Sequence, residues 1–187
     1  MTGAAAWEGS FGMQALIDNN TSIYVSDDRP AAETHYRANF YFDINTLTMA
    51  DLNAFYIFYA SNTVPSVTSR IEVRIMDHKY QLRASLMNDL GNWTSSSWIT
   101  ISDNVHLIVI DWKAATAPKQ NNGYLNLWID HVKAAAITGI DNDTQRVDTV
   151  QLGVIAGVDS GTRGTIYFDA FESVRKDYQT FIPVTLR

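Results

Sequence analysis

The chain contains no cysteine, which excludes disulfide cross-links, thiolate nucleophiles and Cys-ligated zinc. It has no run of about 18 apolar residues, so no transmembrane helix is predicted and membrane insertion is not expected. Met1 to Ala6 lack the charged and apolar regions of a signal peptide, so any export signal is expected to lie outside this chain. Basic residues are scarce: 14 Lys and Arg against 20 Asp and Glu leave a net charge of -6. That balance argues against nucleic acid as a partner, because general affinity for phosphate backbones needs clustered Lys and Arg.

Catalytic signatures are equally thin. His35, His78, His106 and His131 are scattered, with no HExxH or His-x-His pair to hold a catalytic zinc. No Gly-x-Ser-x-Gly elbow supports Ser/His/Asp catalysis, and no carboxylates stand at a Glu-x-Asp-x-x-Glu spacing that would supply a nucleophile and an acid for glycoside hydrolysis.

What the chain does have is alternation. In Tyr124-Leu-Asn-Leu-Trp-Ile-Asp130, Leu125, Leu127 and Ile129 fall on one face and Asn126, Trp128 and Asp130 on the other, the two-residue period of a half-buried strand. Asn122-Gly123 before it reads as a hairpin turn, and Asp130-His131 after it as a second tight reversal. His35 to Asp43, Ser69 to Met76 and Tyr80 to Leu86 alternate in the same way, with Asp77-His-Lys79 turning between the last two. Phe55 to Tyr59 is a continuous apolar run that reads as a strand buried on both faces. Strands recurring every 8 to 12 residues or so, with no long amphipathic helix, predict an all-β sandwich or barrel. The length of 187 residues suits one domain, expected over 1–176, followed by an apolar tail over 177–187.

Tyr36-Arg-Ala-Asn-Phe-Tyr-Phe42, His106-Leu-Ile-Val-Ile-Asp-Trp112, Leu125-Asn-Leu-Trp-Ile-Asp130 and Gly164-Thr-Ile-Tyr-Phe-Asp-Ala-Phe-Glu172, in this order and spacing, resemble the concanavalin A-like lectin/glucanase jelly roll. The resemblance is closest to laminin-G-like modules of bacterial secreted or surface proteins. It implies a two-sheet antiparallel β-sandwich, an extracellular or cell-surface location within a larger secreted protein, and a concave sheet where glycans lie.

Two departures stand out: His131 where such modules usually place glycine, and an apparently missing first strand. Without that strand, Phe168 to Val174 would be an open sheet edge, which Tyr178 to Leu186 would cover or use for self-association. If the middle strands are neighbours in one sheet, their polar face gathers Arg37, Asn39, Tyr41, Arg70, Glu72, Arg74, Gln81 and Arg83. Arg37, Tyr41, Glu72, Arg74, Arg83 and Trp128 are the ligand-binding candidates, against the plainer reading of a solvated sheet laced with cross-strand ion pairs.

Arg70-Ile-Glu-Val-Arg74 also resembles the Arg-x-Glu-x-Arg strand of alginate lyases with this fold. Their Gln-x-His and C-terminal Tyr-rich strands have no match, so a noncatalytic module that binds a glycan or cell-surface ligand ranks first. A self-assembling subunit is the alternative, and a polysaccharide lyase ranks last. The resemblance admits one structural calcium ion, with Asp141, Asp143 and Asp169 as candidates beside Asp27 and Asp28. An EF-hand is excluded, since the sixth position after Asp141 is Arg146 and the twelfth is Leu152. Trp93 and Trp98 bracket a Ser/Thr-rich stretch, and the expectation is that they cap one end of the sandwich.

Overall fold

The structure, a computed structural model, describes residues 1–63 and 66–174. Thirteen strands follow one another: β1 (Met13–Ile17), β2 (Ile23–Asp27), β3 (His35–Asp43), β4 (Ala54–Ser61), β5 (Val67–Met76), β6 (Lys79–Met87), β7 (Trp93–Ser95), β8 (Ile99–Thr100), β9 (His106–Lys113), β10 (Gly123–Ile129), β11 (Val132–Ile140), β12 (Thr149–Ala156) and β13 (Gly164–Val174). Six form one sheet in the order β1-β13-β3-β9-β10-β11. The other seven form the second, β2-β12-β4-β5-β6-β7 with β8 also on β6. The pairings are antiparallel, and the result is the expected jelly-roll sandwich.

The alternating strands bury one side and leave the other half-exposed, as β9 and β10 do residue by residue. The inner sides meet in a single core. Phe40 of β3 stacks on Phe58 of β4 across the sheet interface, with centroids 6.1 Å apart and an interplanar angle of 15°. Phe168 of β13 packs beside both Phe40 and Phe42. Tyr36 and Trp112 fill the same interior and are fully buried.

Three expectations need correction. The first strand is present: β1 pairs with β13 from Met13↔Phe168 to Ile17↔Gly164, and of the expected edge over Phe168 to Val174 it covers only Phe168. Beyond Phe168 no strand pairs with that side of β13 among the described residues, and the tail invoked to cover it lies outside them. Secondly, Asn122-Gly123 is not a two-residue turn. Gly123 opens β10 after the connection 114–122, and its role is close approach: a Cβ there would lie 1.8 Å from Oδ1 of the fully buried Asn142. Thirdly, β4 is not buried on both faces. A bulge between Tyr56 and Phe58 inserts Ile57 as an extra core residue, so Tyr56 and Tyr59 both emerge, half-buried, on the outer face.

The two Asp-His reversals hold. Asp77 and His78 (φ 51° and 59°) and Asp130 and His131 (φ 51° and 67°) take the paired positive φ of a tight hairpin turn. The stacked pair at the sheet interface sets a measurable expectation. Phe58→Ala removes a fully buried ring and should cost about 3–5 kcal/mol in denaturant unfolding.

Candidate functional site

The outer face of the seven-stranded sheet carries the densest polar and aromatic constellation. On β5, Ile71 and Val73 enter the core, which turns Arg70, Glu72 and Arg74 outward. On β6, Leu82 and Ala84 do the same for Gln81 and Arg83. Register aligns Tyr59 with Arg70, Tyr56 with Glu72 and Glu72 with Arg83 across three adjacent strands.

Arg83 grips Glu72 through Nε at 3.0 Å and Nη2 at 2.6 Å, both on the same carboxylate oxygen. Arg74 donates from Nε to Gln81 Oε1 at 2.8 Å. Arg70 has no such partner: its guanidinium lies 3.8 Å from the Trp93 ring centroid and 4.7 Å from that of Tyr56, and its buried Nε donates to nothing among the described residues. Trp98 serves two cations at once, with Arg74 at 4.0 Å and Arg83 at 4.3 Å. The tryptophans therefore lie half-buried on this face as platforms and do not cap the sandwich. Three guanidiniums face one carboxylate, and among the described residues neither Arg70 nor Arg74 has a carboxylate partner.

Tyr56 and Tyr59 complete the face, their ring centroids 5.2 Å apart. Burial, with Tyr56 next to it, pushes the Tyr59 phenol up to about 12 despite the opposing charge of Arg70, so it keeps its proton through neutral pH.

The expected single polar face does not exist. Arg37, Asn39 and Tyr41 belong to β3 and Trp128 to β10, both in the six-stranded sheet, and the core separates them from Glu72, Arg74 and Arg83. On that other face, Arg37 and Lys133 lie 5.9 and 5.5 Å from the Trp128 centroid. Tyr41 is screened by Trp7, whose ring packs on it and on Tyr167. Arg70 was read on the polar face but not among the ligand-binding candidates, Trp93 and Trp98 were expected as caps, and Tyr56 and Tyr59 were missed altogether. Period-two reading gives no sign of a bulge that puts residues three apart on one face.

The metal candidates also divide. Asp141 and Asp143 converge with Asp89, which alternation and spacing gave no reason to choose. One carboxylate oxygen from each lies within 4.8 Å of the others, close enough for one hard cation to touch all three. Burial, then a hydrogen bond with Asp89 and its charge, raises the Asp143 carboxyl above its usual range.

Asp169 is elsewhere, which corrects its place in that set. Its Oδ2 accepts the Trp7 and Glu8 backbone N–H groups at 2.6 and 2.8 Å and fastens the N-terminal segment to β13. Burial works against the charged form, but the N–H groups of Glu8, Ala170 and Trp7 outweigh it and hold the carboxyl below the usual range.

The chain matches no known protein-family profile, and no curated protein sequence matches it. Solved structures do. Alginate lyase Aly36B superposes with a TM-score of 0.59 over 93% of this chain and 84% of that one, at 13% identity. The alginate lyase from Alteromonas sp. 272 gives 0.58 over 94% and 92%, at 9% identity. A structure from work on botulinum neurotoxin type C, whose cell entry depends on two ganglioside molecules, gives 0.51 over 79% of this chain and 33% of that one, at 10% identity. At these identities the likeness is one of fold. It overturns the ranking that placed a noncatalytic glycan module first and a polysaccharide lyase last, since two structures that share the fold over more than nine-tenths of the chain are alginate lyases.

The Asp169 anchor gives a pH-dependent expectation. Because its folded value is depressed, its contribution is present above the ordinary carboxylate range and lost as pH falls through the lower folded value. Asp169→Asn should therefore lose about 1–2 kcal/mol at neutral pH and approach the parent's stability in acid, as read by urea unfolding at both pH values.

Proposed function

We propose that the outer face of the seven-stranded sheet binds an anionic polysaccharide of the uronate type and cleaves it by β-elimination. The observation that carries this reading is the pair of guanidiniums, Arg70 and Arg74, that have no carboxylate partner among the described residues and lie beside two tyrosines on one face. The fold shared with alginate lyases supports it.

Elimination α to a carboxylate needs three things: the carboxylate charge offset, a base for the C5 proton, and an acid for the departing glycosidic oxygen. Arg70 and Arg74 offset the charge and so make the C5 proton easier to remove. Tyr56, its ring 4.7 Å from the Arg70 guanidinium carbon, is the group placed to take that proton through its phenol oxygen. The C5–H electron pair becomes the C4=C5 double bond, the C4–O bond breaks, and Tyr59 protonates the leaving oxygen. No water is consumed. Trp93 and Trp98 hold the guanidiniums in place.

The assay is the appearance of ultraviolet absorbance from the unsaturated uronate when the protein meets polymannuronate, polyguluronate or polygalacturonate. Tyr59, its phenol raised to about 12, keeps the acid available through neutral pH. Tyr59→Phe should lower kcat by about a hundredfold or more with KM little changed, whereas Arg70→Ala should weaken binding as well. Retained binding with no new absorbance on any of the three polymers would overturn the elimination.

A further inference from the structure

A second constellation stands beyond β8, where the segment 101–105 meets the turn between β10 and β11. We propose that Ser102, His106 and Asp130 form a nucleophilic serine centre able to hydrolyse short-chain carboxylic esters, a site separate from the arginine face.

The contacts fall in the order such chemistry requires. His106 Nδ1 lies 2.6 Å from Asp130 Oδ2, and His106 Nε2 lies 3.0 Å from Ser102 Oγ. With the Nδ1 proton donated to Asp130, Nε2 offers its lone pair to the serine hydroxyl. Asn104 Nδ2 donates to Ser102 Oγ at 3.2 Å, which leaves the hydroxyl hydrogen to point at Nε2. The imidazole is buried, at 8% exposure, while Ser102 is open to solvent, so the nucleophile is accessible and its base is held rigidly. Asp130 is fixed twice more: Oδ1 accepts the Leu107 N–H at 2.9 Å, and its own N–H donates to the Leu107 carbonyl at 2.9 Å.

The acyl-transfer step balances without a further reactant beyond water. Ser102 Oγ bonds to the ester carbonyl carbon as its proton passes to His106 Nε2. The resulting imidazolium finds a ready acceptor in the Ser102 carbonyl oxygen, 3.2 Å from Nε2, and Asp130 compensates its charge from the other side. Asn104 Nδ2, 3.2 Å from Ser102 Oγ, orients the attacking oxygen. His106 then protonates the departing alkoxide as the ester C–O bond breaks. Water, deprotonated by the same nitrogen, releases the acid and restores the serine. Asp103 and Asn104 are exposed and offer no apolar surface to a long chain, which restricts the acyl group to short ones such as acetyl.

The competing account is a structural strap, in which a doubly protonated His106 ties Asp130 to the Ser102 carbonyl and the hydroxyl has no role. The two accounts separate on treatment with a fluorophosphonate probe, peptide mass mapping of the adduct, and hydrolysis of p-nitrophenyl acetate. We expect the adduct on Ser102, with ester turnover abolished in Ser102→Ala, an exposed substitution that leaves the melting temperature unchanged. Asp130→Asn should slow labelling and turnover about a hundredfold or more. Uronate cleavage in Ser102→Ala should stay at the parent level. An unlabelled Ser102, labelling that survives in folded Ser102→Ala, or ester turnover that ignores the substitution would overturn the centre.

Discussion

The contact of Phe40 with Phe58 joins the two sheets, and much else in the molecule follows from the phase it imposes. Once β3 and β4 each commit one side to that contact, alternation leaves no freedom for the rest of either strand. Each outward residue of β3 then faces away from each outward residue of β4 and β5. Arg37 and Arg74 are kept apart by this core, and it is also why Arg70, Glu72 and Arg74 share a surface with Tyr56 and Tyr59.

The arginine face is built from contacts that hold cations without neutralising them. Aromatic rings attract a guanidinium through the quadrupole and shed little of its charge, whereas a carboxylate cancels it. Arg83 is cancelled by Glu72, but Arg70 rests between Trp93 and Tyr56, and Arg74 lies on Trp98 with a neutral amide at Nε. Such a surface is rigid and still hungry for an anion. Its partner is then chosen by charge and spacing, because the side chains have little freedom to rearrange.

The strands themselves were legible in the chain, since β3, β5, β6, β9 and β10 announce themselves by alternation. Which sheet each strand joins was not legible. Alternation says that Arg37 and Arg74 point away from the core, and it says nothing about whether they point the same way. The bulge at Ile57 was hidden for a related reason, since an apolar residue added to an apolar run leaves the pattern unchanged while shifting its phase. Asp89 meets Asp141 and Asp143 only through folding, across more than fifty positions of chain. Ser102 and His106 sit four residues apart, but Asp130 reaches them through the pairing of β9 with β10 and carries no motif of its own. The partnership of β1 with β13 was not legible either, so a first strand was expected to be missing where one pairs over Gly164 to Phe168.

Two guanidiniums left unneutralised on a protein of net charge -6 give the molecule opposite responses to ionic strength at different ranges. At a distance a polyanion meets repulsion, which salt weakens once the Debye length falls to roughly 8–10 Å. At contact it meets cations seated on rings at the surface, where screening is weaker because water is partly displaced. Encounter should therefore quicken with added salt before binding begins to loosen, which places the best working condition at moderate salinity and away from dilute buffer.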